Sequence, residues 1–226
     1  MIEYKVFENK EDWREFRTGM FTASEINRLM AEPKKKGEVL SEGAKTYIRE
    51  RVAIKLAPKE PEYYNSSMEH GNQTEAQAVL AIAKSLGKSV NDSDFIYTSE
   101  GGFVYFWDEQ LNLGGTPDVI IKDKMICEIK CPLSKTHLEY MLFESGEDVK
   151  ANVPQYYAQM QVNMYLTQLH KGLFVSFDDR YYNELHHMHS VEVAIDYEFL
   201  ERLSVKLKAA NEYKYNILTK LNASKA

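Results

Sequence analysis

Hydrophobic positions along the chain fall into two periods. Thr22-Ala23-Ser24-Glu25 has capping-box spacing and predicts a helix running to about Met30. Ser41 to Ala57 reads as a second helix and Ser67 to Leu86 as a third, stopped by Gly87. Stretches of period two then appear at Phe95–Ser99, Phe103–Trp107, Val119–Lys122 and Met125–Lys130. The Asp123-Lys124 pair between the last two predicts a hairpin. Helical spacing returns at about Lys135–Phe143 and Pro154–His170, followed by strands at Leu173–Phe177 and Ser190–Ile195. Tyr197 to Leu221 closes as a helix, with Leu200, Leu203, Leu207 and Leu221 near helical spacing. The breaks at 33–37, 58–61, 101–102 and 114–117 are short and read as loops within a single domain spanning 1–226. The expected architecture is mixed α/β (α+β), a central mixed sheet flanked by helices.

Composition narrows the class. With 44% hydrophobic and 27% charged residues, the chain is neither disordered nor a fibrous repeat. No run approaches the roughly 18 apolar residues of a membrane span. Met1-Ile2-Glu3-Tyr4-Lys5 has no apolar signal region, so a cytoplasmic protein without membrane association is expected. Two cysteines, Cys127 and Cys131, supply neither a disulfide framework nor a four-thiolate metal site. The net charge of −6 disfavours passive nucleic-acid binding but suits carboxylates gathered around a cation.

Candidate chemistry begins in Met125–Lys130. Alternation puts Glu128 and Lys130 on one face and Cys127, Ile129 and Cys131 on the other. Asp118 lies ten residues before Glu128, and the hairpin lets the two carboxylates converge. Such a pair beside a lysine suits Mg²⁺, which polarises a phosphodiester and activates water. An exposed strand face with a surface Glu–Lys pair is the other reading of these residues.

Two helices add polar groups to apolar stripes. Glu75 sits amid Met68, Gly71, Val79, Ile82 and Leu86, where a carboxylate must be paired or metal-bound unless the stripe is open to solvent. Gln161 and Tyr165 are neighbours at i, i+4 on the helix from Pro154. They are either site residues or a buried pair satisfied by the backbone.

The ordered motifs Gly71-x-x-x-Glu75, Gly115-x-x-Asp118, Glu128-x-Lys130 and Gln161-x-x-x-Tyr165 resemble those of RecB-like PD-(D/E)XK nucleases, which have a restriction-endonuclease-like core. More closely, Arg14–Gly19 followed by Thr22–Glu25, Glu128–Pro132 and Ala158–Gln161 resemble blocks of the phage lambda exonuclease family. The resemblance runs from about Trp13 to Tyr165. It implies that Asp118, Glu128 and the Ile129 carbonyl hold metal, that Glu75 completes the acidic site, and that Lys130 acts on the water, with Gln161 alongside. It also implies that Arg17, Ser24 and Thr116 bind the 5′-phosphate of a DNA end, and that Met68 is an apolar wedge between the last base pairs. A capped helix start beside Arg17 agrees with an anion site, although an ordinary cap with a surface arginine has the same sequence. Met68 also suits core packing.

The activity implied is that of a 5′-to-3′ exodeoxyribonuclease acting on linear double-stranded DNA, using Mg²⁺ (expected as a pair, with Mn²⁺ able to substitute). It would release mononucleotides and leave a 3′ strand for a single-strand annealing protein. The family's enzymes are homotrimer rings. The rivals are a structure-specific or restriction-type endonuclease of the same fold and a non-catalytic recombination adaptor. The basic segments Lys34–Lys36 and Lys45–Lys59 are taken as solvated faces, and His186–His189 as lacking the partners of a zinc site.

Overall fold

In the computed structural model of the protein, residues 2–57, 66–99 and 103–223 are described, and of 66–73 only the backbone. Among the described residues, nine strands and eight α-helices run in the order β1 (Ile2–Phe7), α1 (Lys10–Phe16), β2 (Phe21–Thr22), α2 (Asn27–Met30), α3 (Glu42–Leu56) and α4 (Ser66–Ser85). Then come β3 (Phe95–Tyr97), β4 (Phe103–Asp108), β5 (Leu113–Gly115), β6 (Val119–Ile121) and β7 (Met125–Lys130). The chain finishes with α5 (Ser134–Met141), α6 (Gly146–Asn152), α7 (Pro154–Thr167), β8 (Lys171–Phe177), β9 (Met188–Ala194) and α8 (Tyr197–Ala223).

The larger sheet has the order β3-β6-β7-β8-β9, antiparallel throughout except for the β7–β8 pair. Parallel neighbours need a long crossover, and α5, α6 and α7 provide it. Both faces are covered. On one, Val79 and Ile82 of α4 pack on Val119, Cys127, Ile129 and Val175. On the other, α7 and Leu203 and Leu207 of α8 pack around Ile126, Phe174 and Val191. The alternation in β7 therefore feeds two cores rather than one core and solvent. A second sheet, β1-β4-β5-β2, abuts the first where the Val104 N–H of β4 donates to the carbonyl of Thr98, just past β3 (3.3 Å). The expected mixed sheet between helices is thus present. No helix among the described residues is long and apolar enough to cross a membrane.

Several elements depart from the sequence expectation. Thr22–Glu25 forms no capping box: residues 23–25 make a 3-10 turn, Thr22 makes no side-chain cap bond, and only one α turn follows. The Glu25 carboxylate is held by Arg28 (3.0 Å) and Arg51 (3.5 Å) instead of reaching back to the cap. A true capping box stands at Ser145/Asp148, opening α6. β1, α1, β2 and α6 are additional elements, and Gly114-Gly115 lies in a strand rather than a loop.

Candidate active site

Val119 pairs with Cys127, so one further step along the antiparallel register sets Asp118 opposite Glu128. Side chains so placed stand about 5 Å apart at Cβ. Asp118 Oδ2 accepts the Ile129 N–H at 2.6 Å. Glu128 is fully buried, and its Oε1 accepts from Lys130 Nζ at 2.7 Å while its Oε2 accepts from Asn163 Nδ2 at 3.4 Å. The Lys130 ammonium also lies 4.6 Å from the Tyr156 ring. Glu75 reaches the same strand ends from α4, and its Oε1 accepts the Tyr97 hydroxyl at 3.0 Å.

Desolvation dominates the electrostatics. Burial pushes the Asp118 carboxyl up, against the pull of Lys130 and the Ile129 N–H. Burial also carries Glu128 up to about 8, opposed by Lys130 and aided by Asp118. Glu75 is raised by burial and by the Asp118 charge, so the three acids share one field. Lys130 is desolvated too, yet Glu128 and Asp118 hold its ammonium charged above the ordinary lysine value. Cys127 and Cys131 are pushed up to about 12, chiefly by burial, which leaves them as inert thiols.

Among the described residues no three His, Cys, Asp or Glu side chains close around one cation position. The donor set nonetheless fits Mg²⁺, which commonly takes one or two carboxylates and fills its remaining positions with water and substrate oxygens. Two adjacent carboxylates whose charged forms are penalised by burial are the chemistry that a divalent cation relieves. Glu75, engaged with Tyr97, stands at the margin of this pair.

A cleft of about 270 Å³ opens beside Asp118. Arg17, Ser24 and Thr116 line it together, as do Lys10, Trp13 and Gln159. Each is placed by a different local device. Lys10, Trp13 and Arg17 recur at i, i+3 and i+7 along α1 and its C-cap, hence on one face. The Arg17 guanidinium lies 4.0 Å from the Trp13 ring, which stacks on Phe103. Trp13 Nε1 is buried without a hydrogen-bond partner. Thr116 donates its hydroxyl to the Val104 carbonyl (2.7 Å), and Ser24 lies 3.4 Å from the Thr22 hydroxyl. The turn after Arg17 depends on Gly19 at φ +80, where a Cβ would stand 2.8 Å from Lys55 Cβ. The Gly19 carbonyl accepts from the buried Lys214 of α8 at 2.6 Å. The C-terminal helix thus fixes the segment that carries Arg17.

Two expected site residues lie elsewhere. Gln161 donates to the Ala194 carbonyl (2.9 Å) and accepts the Asp196 N–H (2.7 Å). Glu128 aligns with Phe174 and Val191, so Ala194 is two strands away and three residues further along. Tyr165 donates to Asp108 Oδ2 at 2.8 Å. This is the buried pair satisfied from within the fold. Gln159 takes the place in the cleft, because two residues along a helix turn a side chain through about 200°. Gln159, Asn163 and Tyr156 share the face toward the carboxylates; their i, i+3, i+7 spacing was the available signal. The wedge assigned to Met68 lies outside the described side chains. The basic face of α3 is largely paired, Lys45 with Glu38 and Glu42 and Arg51 with Glu25. The histidine tract is structural: His187 and His189 bond the carbonyls of Tyr181 and Phe143, both at 2.8 Å.

None of the proteins of curated function matches the sequence. Crystal structures of LHK-Exo, an alkaline exonuclease from Laribacter hongkongensis, align with a TM-score of 0.72 over 96% of this chain and 100% of that one. The identity is 24% for its complex with dAMP and 23% for the other structure. A phage-related exonuclease from Haemophilus somnus 129PT aligns at 0.69 over 89% of this chain and 96% of that one, with 18% identity. At such identities the likeness establishes the fold alone, the one these solved exonucleases share. The family model of the YqaJ-like viral recombinase domain matches residues 12–170, well over half of the sequence. The chain belongs to the YqaJ-like viral recombinase family.

Proposed function

We propose that this protein is a Mg²⁺-dependent 5′-to-3′ exonuclease of linear double-stranded DNA that prefers 5′-phosphorylated ends. It releases mononucleotides and leaves a 3′ single strand for an annealing protein, working as a homotrimer ring in the cytoplasm. The observation that carries the reading is the shared cleft: Arg17, Ser24 and Thr116 line the same cavity as Asp118. Thr116 and Asp118 are two residues apart, about 7 Å of extended chain. A 5′-phosphate gripped by Arg17 then leaves the next phosphodiester beside the carboxylate pair, which accounts for release of one nucleotide at a time. Asp118, Glu128 and the Ile129 carbonyl hold the metal, with Glu75 extending the acidic shell. Bound there, Mg²⁺ supplies the charge that polarises the phosphodiester and lowers the pKa of the attacking water. Lys130 orients that water and offsets negative charge developing on the phosphate. Arg17 meets the end phosphate with a forked, charge-assisted contact.

The test uses linear duplexes labelled at either strand end, with 5′-phosphate or 5′-hydroxyl termini, with and without Mg²⁺. Wild type should release 5′-terminal nucleotides only with Mg²⁺, and Asp118→Asn should release none. Lys130→Ala should bind duplex ends as wild type does yet fail to cut. Closed circular duplex degraded as fast as linear duplex would overturn the exonuclease reading in favour of an endonuclease.

A further inference from the structure

We propose that Asn163 is a positioning residue that restricts Glu128 to offering one oxygen to a cation, and thereby sets a preference for Mg²⁺ over Ca²⁺. The inference rests on the metal site proposed above. Glu128 is held at both oxygens, but by unequal partners. On Oε1 sits Lys130, whose side chain is 22% exposed and ends its strand, so it has room to withdraw. On Oε2 sits Asn163, fully buried in the middle of α7. Asn163 has nowhere to swing. Its Oδ1 is buried without a hydrogen-bond partner and fills the space that a side chain at position 115 would occupy. Its neighbours Val162 and Met164 are fully buried as well. A cation arriving at Glu128 therefore meets Oε1 free to respond and Oε2 fixed. One oxygen per carboxylate suits the six-coordinate octahedron of Mg²⁺; Ca²⁺ takes six to eight oxygens and readily accepts both from one carboxylate.

The experiment is displacement of Mn²⁺ by Mg²⁺ and by Ca²⁺ from metal-free protein, followed by the Mn²⁺ paramagnetic resonance signal, without DNA. Losing an outer partner of a metal ligand commonly costs about 10- to 100-fold in affinity. Asn163→Ala should lose Mg²⁺ affinity on that scale and lose less for Ca²⁺, narrowing the ratio of the two at least about fivefold. Asn163→Ser, shorter and still polar, carries the same expectation should the alanine variant fail to fold. An unchanged ratio overturns the proposal, whether both affinities hold or both fall equally. Wild type binding Mn²⁺ no better than Asp118→Asn would overturn the metal site itself, and this proposal with it.

Discussion

Gly115→Ala tests how tightly the cleft and the carboxylates are joined. Gly115 has an ordinary negative φ, so alanine suits its backbone and would by itself bring a small gain of about 0.4–1 kcal/mol from the unfolded state. Space decides against it. The added Cβ would stand 2.8 Å from Ala23 Cβ, where ordinary contact starts at 3.4 Å, and closer still to Asn163 Oδ1. Both obstacles are buried, one on the 3-10 turn before α2 and one in α7, so neither escapes to solvent. Overfilling such a site costs about 1–3 kcal/mol, and moving Asn163 off a buried carboxylate adds about 1.5–3 kcal/mol. A net loss near 3 kcal/mol corresponds to roughly 6–12 °C in Tm for a chain of this size. Thermal unfolding of wild type, Gly115→Ala, Asn163→Ala and the double variant completes a cycle. Removing the Asn163 side chain takes away one of the two obstacles, so the double variant should be more stable than the sum of the singles by at least about 1 kcal/mol. A Gly115→Ala protein melting within 2 °C of wild type, or strictly additive effects, would refute the packing argument.

Three further outcomes follow from the geometry. Arg17→Ala should erase the preference for phosphorylated over hydroxyl 5′ ends, a loss of about 10- to 100-fold if one charge-assisted contact is worth about 1.5–3 kcal/mol; matched initial rates on the two ends measure it. Gln159→Ala should impair cleavage with little change in stability, whereas Gln161→Ala should lower stability by about 1–3 kcal/mol while the folded protein cleaves as before; the opposite pattern would return Gln161 to the site. Lys214 is pushed down to about 8 by burial and by Lys55 and Arg51, against 10.5 for a free lysine. Between those values the unfolded chain binds more protons, so stability rises with pH across the window, by up to about 3 kcal/mol. Denaturant unfolding of Lys214→Met from pH 7 to 11 should lack that rise.

The hairpin, the long helices and the carboxylate face of β7 were legible in the sequence because each is periodic and each period serves one packing surface. What escaped lacks side chains or depends on a partner. Gly114 and Gly115 read as a break, yet they form a strand because Tyr105, Asn163 and Ala23 crowd the space above them. The box at Thr22 failed because Arg28 and Arg51, one of them 26 residues distant, claim Glu25. Gln159 and Gln161 are alike in type and lie on nearly opposite faces of one helix; only the sheet beneath α7 says which one faces the acids. Lys214 carried no local signal, since its acceptor lies 195 residues away.

Under the proposed function, the connector Thr116-Pro117-Asp118 is a molecular ruler. Its length is covalent, and the ring of Pro117 stiffens it. Thermal breathing of the surrounding loops therefore leaves the stride from anchor to scissors untouched. A single residue inserted between Thr116 and Pro117 would lengthen that stride by about 3.3 Å while the Val119–Cys127 pair keeps Asp118 opposite Glu128, so the gripped end and the carboxylates would fall out of step.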